Sequence, residues 1–188
     1  MPKQLESKEK ARDTIVAATG RKLRETGFDG IGVDGLMREA GLTSGAFYTQ
    51  FGSKRDLLLE VLRDGLEGLK KHFAGWREKN GDEWLEKGLE EYLSMAHRSS
   101  VGDGCILPTL SVDAARAGCE AQTVFEQKLR ELVDESSANL PKDAKLDPKQ
   151  QIWAHLALMA GGIMLARAVE SEETAAEILE ACRRFAND

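Results

Sequence analysis

Apolar side chains recur every three to four positions along most of this chain. The longest such stripe falls between residues 53 and 79 and consists of Leu58, Val61, Leu62, Leu69, Phe73 and Trp76. This spacing places the side chains on one face of an α-helix, and no segment alternates apolar and polar residues for long. The pattern therefore predicts an all-α protein of about nine helices.

Two short helices joined by a tight turn are predicted between residues 33 and 50. The first covers residues 33–40, Gly41 is a turn residue that tolerates positive φ, and Thr43 caps a second helix at residues 44–50. Phe47 and Phe51 lie four residues apart, so both rings face the core. The segment is a candidate helix-turn-helix, and a first helix at residues 7–26 precedes it.

Small and hydrogen-bonding residues remain on the outward face of the second short helix. Such a face can lie close to the bases of a DNA groove, and a lysine at the start of the next helix can meet a phosphate. The predicted DNA contacts are Thr43, Ser44, Gly45, Ala46, Tyr48, Thr49, Gln50 and Lys54.

The segment at residues 40–54, AGLTSGAFYTQFGSK, resembles the DNA-binding end of TetR-family transcriptional regulators. The likeness also includes Ile15, Ala18, Leu23, Gly27, Phe28 and Leu57. It implies an N-terminal three-helix DNA-binding domain at residues 1–52 and a helical ligand-binding and dimerisation domain at residues 53–188. It further implies a repressor that binds a palindromic double-stranded operator and is released by a small-molecule effector.

The last two predicted helices, which follow Asp147 and Ser171, are candidates for a dimer interface. Asp147 and Pro148 form a strong helix start, and the helix that follows is apolar almost all round. A helix that is apolar on all sides must be covered on all sides, and in the resembled family the last two helices form the dimer interface. We therefore expect a homodimer through residues 148–186, with burial inside one subunit as the alternative.

Large apolar or polarizable residues of the body are the candidates for contact with an effector. They are Trp84, Tyr92, Phe125, Trp153 and Met159, and each could instead be an ordinary core residue. Cys105 is a sharper candidate, because it follows Gly104 at an expected helix start. Backbone N–H groups there would lower the pKa of its thiol and favour reaction with oxidants or electrophiles. The alternative for Cys105 is a small packing residue.

Charge is unevenly distributed along the 188 residues, whose net charge is −6. Residues 1–56 contain ten Lys and Arg against eight Asp and Glu, a net of +2, and the remainder contains sixteen against twenty-four, a net of −8. A mildly basic N-terminal part and an acidic body fit a DNA-binding domain attached to a domain with another role.

Other classes of protein are less consistent with the sequence. No run of eighteen apolar residues and no secretion signal is present, so we expect a cytoplasmic protein without a membrane span. Cys105, Cys119 and Cys182 are too scattered for a disulfide framework or a zinc site, and we expect neither a metal nor a cofactor. Because no phosphate loop, metal-ligand pair or nucleophile elbow occurs, the chain is not expected to be an enzyme. A helix-turn-helix that serves protein contacts without DNA remains the other alternative.

Overall fold

The computed structural model describes residues 2–140 and 147–187, and helices are the regular elements of this part. They are α1 (Pro2–Thr26), α2 (Val33–Glu39), α3 (Ser44–Gln50), α4 (Lys54–Asn80), a 3-10 turn (Gly81–Glu83), α5 (Trp84–Tyr92), α6 (Met95–Ser99), α7 (Leu107–Arg116), α8 (Cys119–Ser137), α9 (Pro148–Ala168) and α10 (Glu172–Asn187). The predicted all-α architecture is confirmed.

Three helix boundaries differ from the prediction. α1 begins at Pro2 rather than at residue 7, since the fixed φ of proline suits the first helical position. The sequence predicts one helix from Asp82 to about Arg98, and the structure divides it into α5 and α6. The Ser94 hydroxyl accepts a hydrogen bond from the His97 N–H at 3.2 Å and so caps a new helix. α7 begins at Leu107, two residues after Cys105. The described residues therefore contain ten α-helices instead of about nine. The sequence also predicts a polar linker at residues 139–146, of which residues 141–146 lie outside the described part.

The central element of the core is α4, which packs against α1, α5 and α8. Its buried stripe consists of Leu57, Leu58, Leu59, Val61, Leu62, Leu66, Leu69, Phe73 and Trp76. Ile15 of α1 and Phe47 of α3 belong to the same hydrophobic cluster as Leu132 of α8 and Ile163 of α9. One continuous core thus joins the N-terminal helices to the body, and a domain boundary between residues 52 and 53 stays a prediction.

Three glycines interrupt α4, and their surroundings differ. A Cβ added at Gly65 would lie 2.6 Å from the Cδ1 atom of Ile106, so this glycine permits close packing of the segment before α7. A Cβ added at Gly68 or at Gly75 would meet no atom within 4 Å. Of these three positions, only Gly65 therefore needs a glycine to avoid a clash with a neighbouring side chain.

The outer surface formed by α9 and α10 carries large apolar side chains. Leu165 is 57% exposed and Phe185 is 78% exposed, and Trp153 and Met164 are exposed on the same pair of helices. Ile152, Leu156 and Ile163 of α9 are buried against the rest of the chain. One subunit therefore covers only part of the apolar circumference of α9. Within the described ranges, no helix combines the length and the apolar character needed to cross a membrane.

Candidate DNA-binding surface and internal cavity

One side of α3 is fixed in the core and the other is presented to solvent. The Thr43 side chain accepts a hydrogen bond from the Ala46 N–H at 3.4 Å, so the predicted cap of α3 is confirmed. Phe47 is fully buried, and its ring stacks on that of Phe51 with 5.5 Å between centroids. Tyr48 is 65% exposed. The structure thus holds α3 by its aromatic side and presents the side predicted to contact DNA.

The hydroxyl groups of Ser44 and Thr49 on this surface already have partners within the protein. The Ser44 hydroxyl donates to Oδ1 of Asp34 at 2.5 Å, and the Thr49 hydroxyl donates to the Ala46 carbonyl at 2.7 Å. Gly45, Tyr48 and Thr49 are exposed, whereas Ser44, Ala46 and Gln50 are half-buried. All of them lie on one short helix, and Tyr48 is the largest group that this surface offers to a partner.

Lys54 has a local structural role that the sequence did not indicate. Its ammonium group donates to the Phe28 carbonyl and lies 4.2 Å from the centroid of the Phe28 ring. The expected contact of Lys54 with a phosphate stays a prediction, and in this conformation the lysine instead fixes the loop before α2. Arg12 of α1 similarly donates to the Gln50 carbonyl at 2.8 Å and forms an ion pair with Glu60 at 3.0 Å.

A cavity of about 490 Å³ lies between α1, α4, α5, α6 and the segment that leads into α7. Its wall combines apolar and polar groups, among them Arg24, Gly68, Trp76, Tyr92, His97 and Cys105. This volume falls in the range of about 300–1,000 Å³ that is typical of small-molecule sites. The cavity is therefore the candidate effector site.

The structure brings two of the six predicted effector residues, Tyr92 and Cys105, to this cavity. The other four do not line this cavity, and their contact with an effector stays a prediction. Trp84 is buried against Phe73, with 5.7 Å between ring centroids, and Met159 is buried in the core. Phe125 packs half-buried on the core from α8, and Trp153 is exposed on α9. Large apolar side chains on α4, α5 and α9 are used mainly for packing, and spacing along the chain does not distinguish the two roles.

Cys105 is held at the cavity wall by one hydrogen bond from its backbone and one to its sulfur. The Cys105 N–H donates to Nε2 of His97 at 3.0 Å, and the Leu107 N–H donates to the Cys105 sulfur at 3.4 Å. Burial nevertheless raises the pKa of the thiol, and the nearby Tyr92 hydroxyl, the Leu107 N–H, Arg24 and Arg167 only partly oppose it. The expected lowering of this pKa was therefore wrong, because loss of solvent outweighs the helix end.

Two hydrogen bonds define the protonation of His97. Its Nδ1 atom lies 2.8 Å from the Tyr92 carbonyl, and its Nε2 atom accepts from the Cys105 N–H. A neutral ring that carries its proton on Nδ1 satisfies both contacts. Burial lowers the pKa of His97, which also favours the neutral ring.

Two arginines near the cavity were not anticipated as site residues. Arg24 of α1 donates to the Gly102 carbonyl at 3.3 Å, and Arg167 of α9 donates to the carbonyls of Arg98 and His97 at 3.0 and 2.7 Å. Within residues 2–140 and 147–187, neither guanidinium has a carboxylate within 4.0 Å. Only the packing of α1 against the segment at residues 100–104 reveals the position of Arg24.

The N-terminal helices and the body are connected by polar contacts close to this cavity. The Phe28 N–H donates to Oδ2 of Asp113 in α7 at 3.2 Å, and Arg21 of α1 forms an ion pair with Asp103 at 2.9 Å. Both contacts join residues that precede the helix-turn-helix to the segment at residues 100–116. A shift of that segment would therefore displace α1 and the loop before α2, which adjoin the candidate DNA-binding surface.

Comparison with known proteins identifies the N-terminal segment. Residues 15–61 match the family model of bacterial regulatory proteins of the tetR family. An uncharacterised HTH-type transcriptional regulator encoded in the lacX 3′ region of Lactococcus lactis subsp. lactis is 22% identical over 165 residues, which cover 85% of this chain and 84% of that protein.

The whole fold has counterparts among solved structures. The reduced form of E. coli NemR superposes with a TM-score of 0.76 at 18% identity, covering 94% of this chain and 95% of that one. AibR in complex with isovaleryl coenzyme A and operator DNA gives a TM-score of 0.65 at 13% identity, covering 93% and 97%. At these identities the structural likeness shows a shared fold.

Proposed function

We propose that the chain is a DNA-binding transcriptional regulator of the TetR family, and that it is a homodimeric repressor that leaves its operator when a small molecule or an electrophile occupies the cavity. The surface of α3 carries this proposal. A short helix with the small residues Gly45 and Thr49 on its exposed side can approach the floor of the major groove, and Tyr48 extends from it. We expect the residues predicted in this region, from Thr43 to Gln50 and at Lys54, to contact DNA.

Dimerisation is supported by the apolar surface on α9 and α10. Exposed groups as large as Leu165 and Phe185 are costly on a monomer, and a second copy can cover them with the same pair of helices. A two-fold dimer would present two copies of α3 to two half-sites, which fits a palindromic operator. The net charge of only +2 in residues 1–56 gives one subunit a weak attraction to DNA phosphates, and a second contact surface raises the total affinity.

The electrophile branch of the proposal concerns Cys105. Alkylation by iodoacetamide would form a bond between the sulfur and the CH2 carbon, release iodide and transfer the thiol proton to solvent. Because burial raises the pKa of this thiol, we expect labelling to be slow at neutral pH and faster at alkaline pH. If a Cys105→Ser variant is still fully released from the operator by the effector, release results from reversible binding and the electrophile mechanism is excluded.

The decisive experiment is operator selection from random duplex DNA, followed by fluorescence anisotropy at increasing salt. We expect the affinity to fall with salt. The Tyr48→Ala variant should bind the selected duplex roughly fivefold to 150-fold more weakly, which corresponds to about 1–3 kcal/mol for a lost base contact. Val112→Ala is the matched control, since Val112 is also exposed and apolar but lies on α7. Failure to enrich any duplex, or full affinity in Tyr48→Ala, would reject the proposed surface in favour of protein contacts.

A further inference from the structure

We propose that the cavity binds a small organic anion, whose carboxylate is held by the Arg24 guanidinium and the Tyr92 hydroxyl. The inference rests on the proposed function, since it names the chemical class of the effector. The observation behind it is the set of buried polar atoms without partners on residues of the cavity wall.

Two residues that line the cavity, Arg24 and Tyr92, carry buried hydrogen-bond donors without acceptors in the described part of the chain, and Arg167, which does not line it, carries a third. The Nε atom of Arg24, the hydroxyl of Tyr92 and the Nη1 atom of Arg167 are each buried, and none has a hydrogen-bond partner among the described residues. Tyr92 is 5% exposed, and both Tyr92 and Arg24 line the cavity. The Tyr92 hydroxyl lies near enough to influence the Cys105 thiol but forms no hydrogen bond of good geometry with it. Buried donors of this kind favour a ligand that brings acceptor oxygens.

The charges around the cavity differ between its inner wall and its rim. Asp64, Glu91 and Asp103 also line it, but all three are exposed, and Asp103 is already paired with Arg21. Arg24 is half-buried and has no carboxylate within 4.0 Å in the part of the chain that the structure describes. A guanidinium that is partly removed from water gains more from a nearby anion than a fully solvated carboxylate gains from a cation. The inner wall therefore selects a negative group.

The remaining wall indicates the body of the ligand. Trp76, Leu69 and Ile106 provide apolar surface, and the absence of a side chain at Gly68 leaves space beside them. A carboxylate on an aromatic or branched hydrocarbon group matches this combination of one charged end and one apolar end. A strongly polar anion such as inorganic phosphate would leave the apolar wall uncovered.

The position of Arg24 couples this ligand to DNA binding. Arg24 belongs to α1, which packs against α2 and α3, and its guanidinium donates to the Gly102 carbonyl. A carboxylate that recruits this guanidinium competes with Gly102 and so shifts α1 relative to the body. If that shifted arrangement fits the operator poorly, ligand and DNA weaken each other's binding by the same factor.

The test is isothermal titration of the DNA-free, full-length protein with matched pairs of acids and their primary amides: benzoate, phenylacetate, indole-3-acetate and 2-methylbutyrate. We expect at least one acid to bind ten times more tightly than its own amide. Arg24→Gln should weaken that acid at least tenfold, and Tyr92→Phe should weaken it while keeping the ring. Arg116→Gln, an exposed cation on α7, should have no effect.

The outcomes are separable from a failure of DNA binding, because no DNA is present in the titration. The proposal is overturned if no acid binds better than its amide, if the corresponding primary amines bind better than the acids, or if Arg24→Gln keeps full affinity. Arg24→Lys serves as a second variant should Arg24→Gln fail to fold. It keeps the charge but loses Nε, so unchanged affinity in Arg24→Lys would also contradict the role assigned to that atom.

Discussion

Replacing Gly68 with alanine is expected to stabilise the protein, although the residue lines the candidate effector site. A Cβ at this position meets no atom within 4 Å, so the substitution adds helix propensity without a clash. The gain should be about 0.8–1.0 kcal/mol, the difference between glycine and alanine inside a helix. For a domain of this size that is a rise in Tm of about 2–4 °C.

Two other glycines of the same helix are matched controls. Gly75→Ala is also free of contacts but is exposed away from the cavity, and we expect a similar gain. Gly65→Ala should lower stability, because its Cβ would lie 2.6 Å from the Cδ1 atom and 3.1 Å from the Cβ atom of Ile106. Overpacking of this kind costs about 1–3 kcal/mol, which exceeds the propensity gain.

Urea denaturation followed by circular dichroism measures all three variants. The reasoning fails if Gly75→Ala is stabilising and Gly68→Ala is not, because that result would mean that the space beside Gly68 is closed in solution. Gly68→Leu then tests the cavity itself. It should weaken the acid identified by titration at least tenfold, whereas Gly75→Leu should leave that affinity unchanged.

Two further predictions concern the dimer and the buried histidine. Leu165→Glu should yield monomers in light scattering and lose operator affinity, whereas Val112→Glu, at another exposed apolar position, should remain dimeric. Because burial lowers the pKa of His97 below its usual 6.5, the unfolded state binds its proton more readily, and the free energy of unfolding should fall as the pH drops below about 6.5. Thermal melts between pH 7.5 and pH 5 should show a smaller fall in Tm for His97→Gln than for the exposed control His72→Gln. Part of the fall in Tm will persist in His97→Gln, since burial also lowers the pKa of His155. An equal fall in the two variants would exclude His97 as a source.

Local signals predicted the helix-turn-helix well. The bounds of α3 agree with the prediction at both ends, because the Thr43 cap and the inward pair Phe47 and Phe51 all lie within nine residues. Asp147 likewise caps α9 through hydrogen bonds to N–H groups at the helix start, as Asp147-Pro148 indicated. Signals of this kind act within one or two turns and so can be recognised along the chain.

The cavity could not be predicted in the same way. Its wall joins residues as distant in sequence as Arg24 and Cys105, and their proximity depends on how α1, α4 and the segment before α7 pack together. Whether an aromatic side chain such as Trp76 or Trp84 meets a cavity or a neighbouring ring depends on space that no local pattern encodes. Lys54 shows the same limit, because its contact with Phe28 spans 26 positions.

The ten-residue helix α7 has a mechanical consequence. It is a rigid rod of about 15 Å that begins just after Cys105 and holds the Phe28 N–H through Asp113 near its far end. Tilting α7 would displace the loop before α2 without deforming α2 or α3, the two helices of the helix-turn-helix. Under the proposed function, residues around the cavity can change during evolution to fit another effector while α3 keeps its sequence.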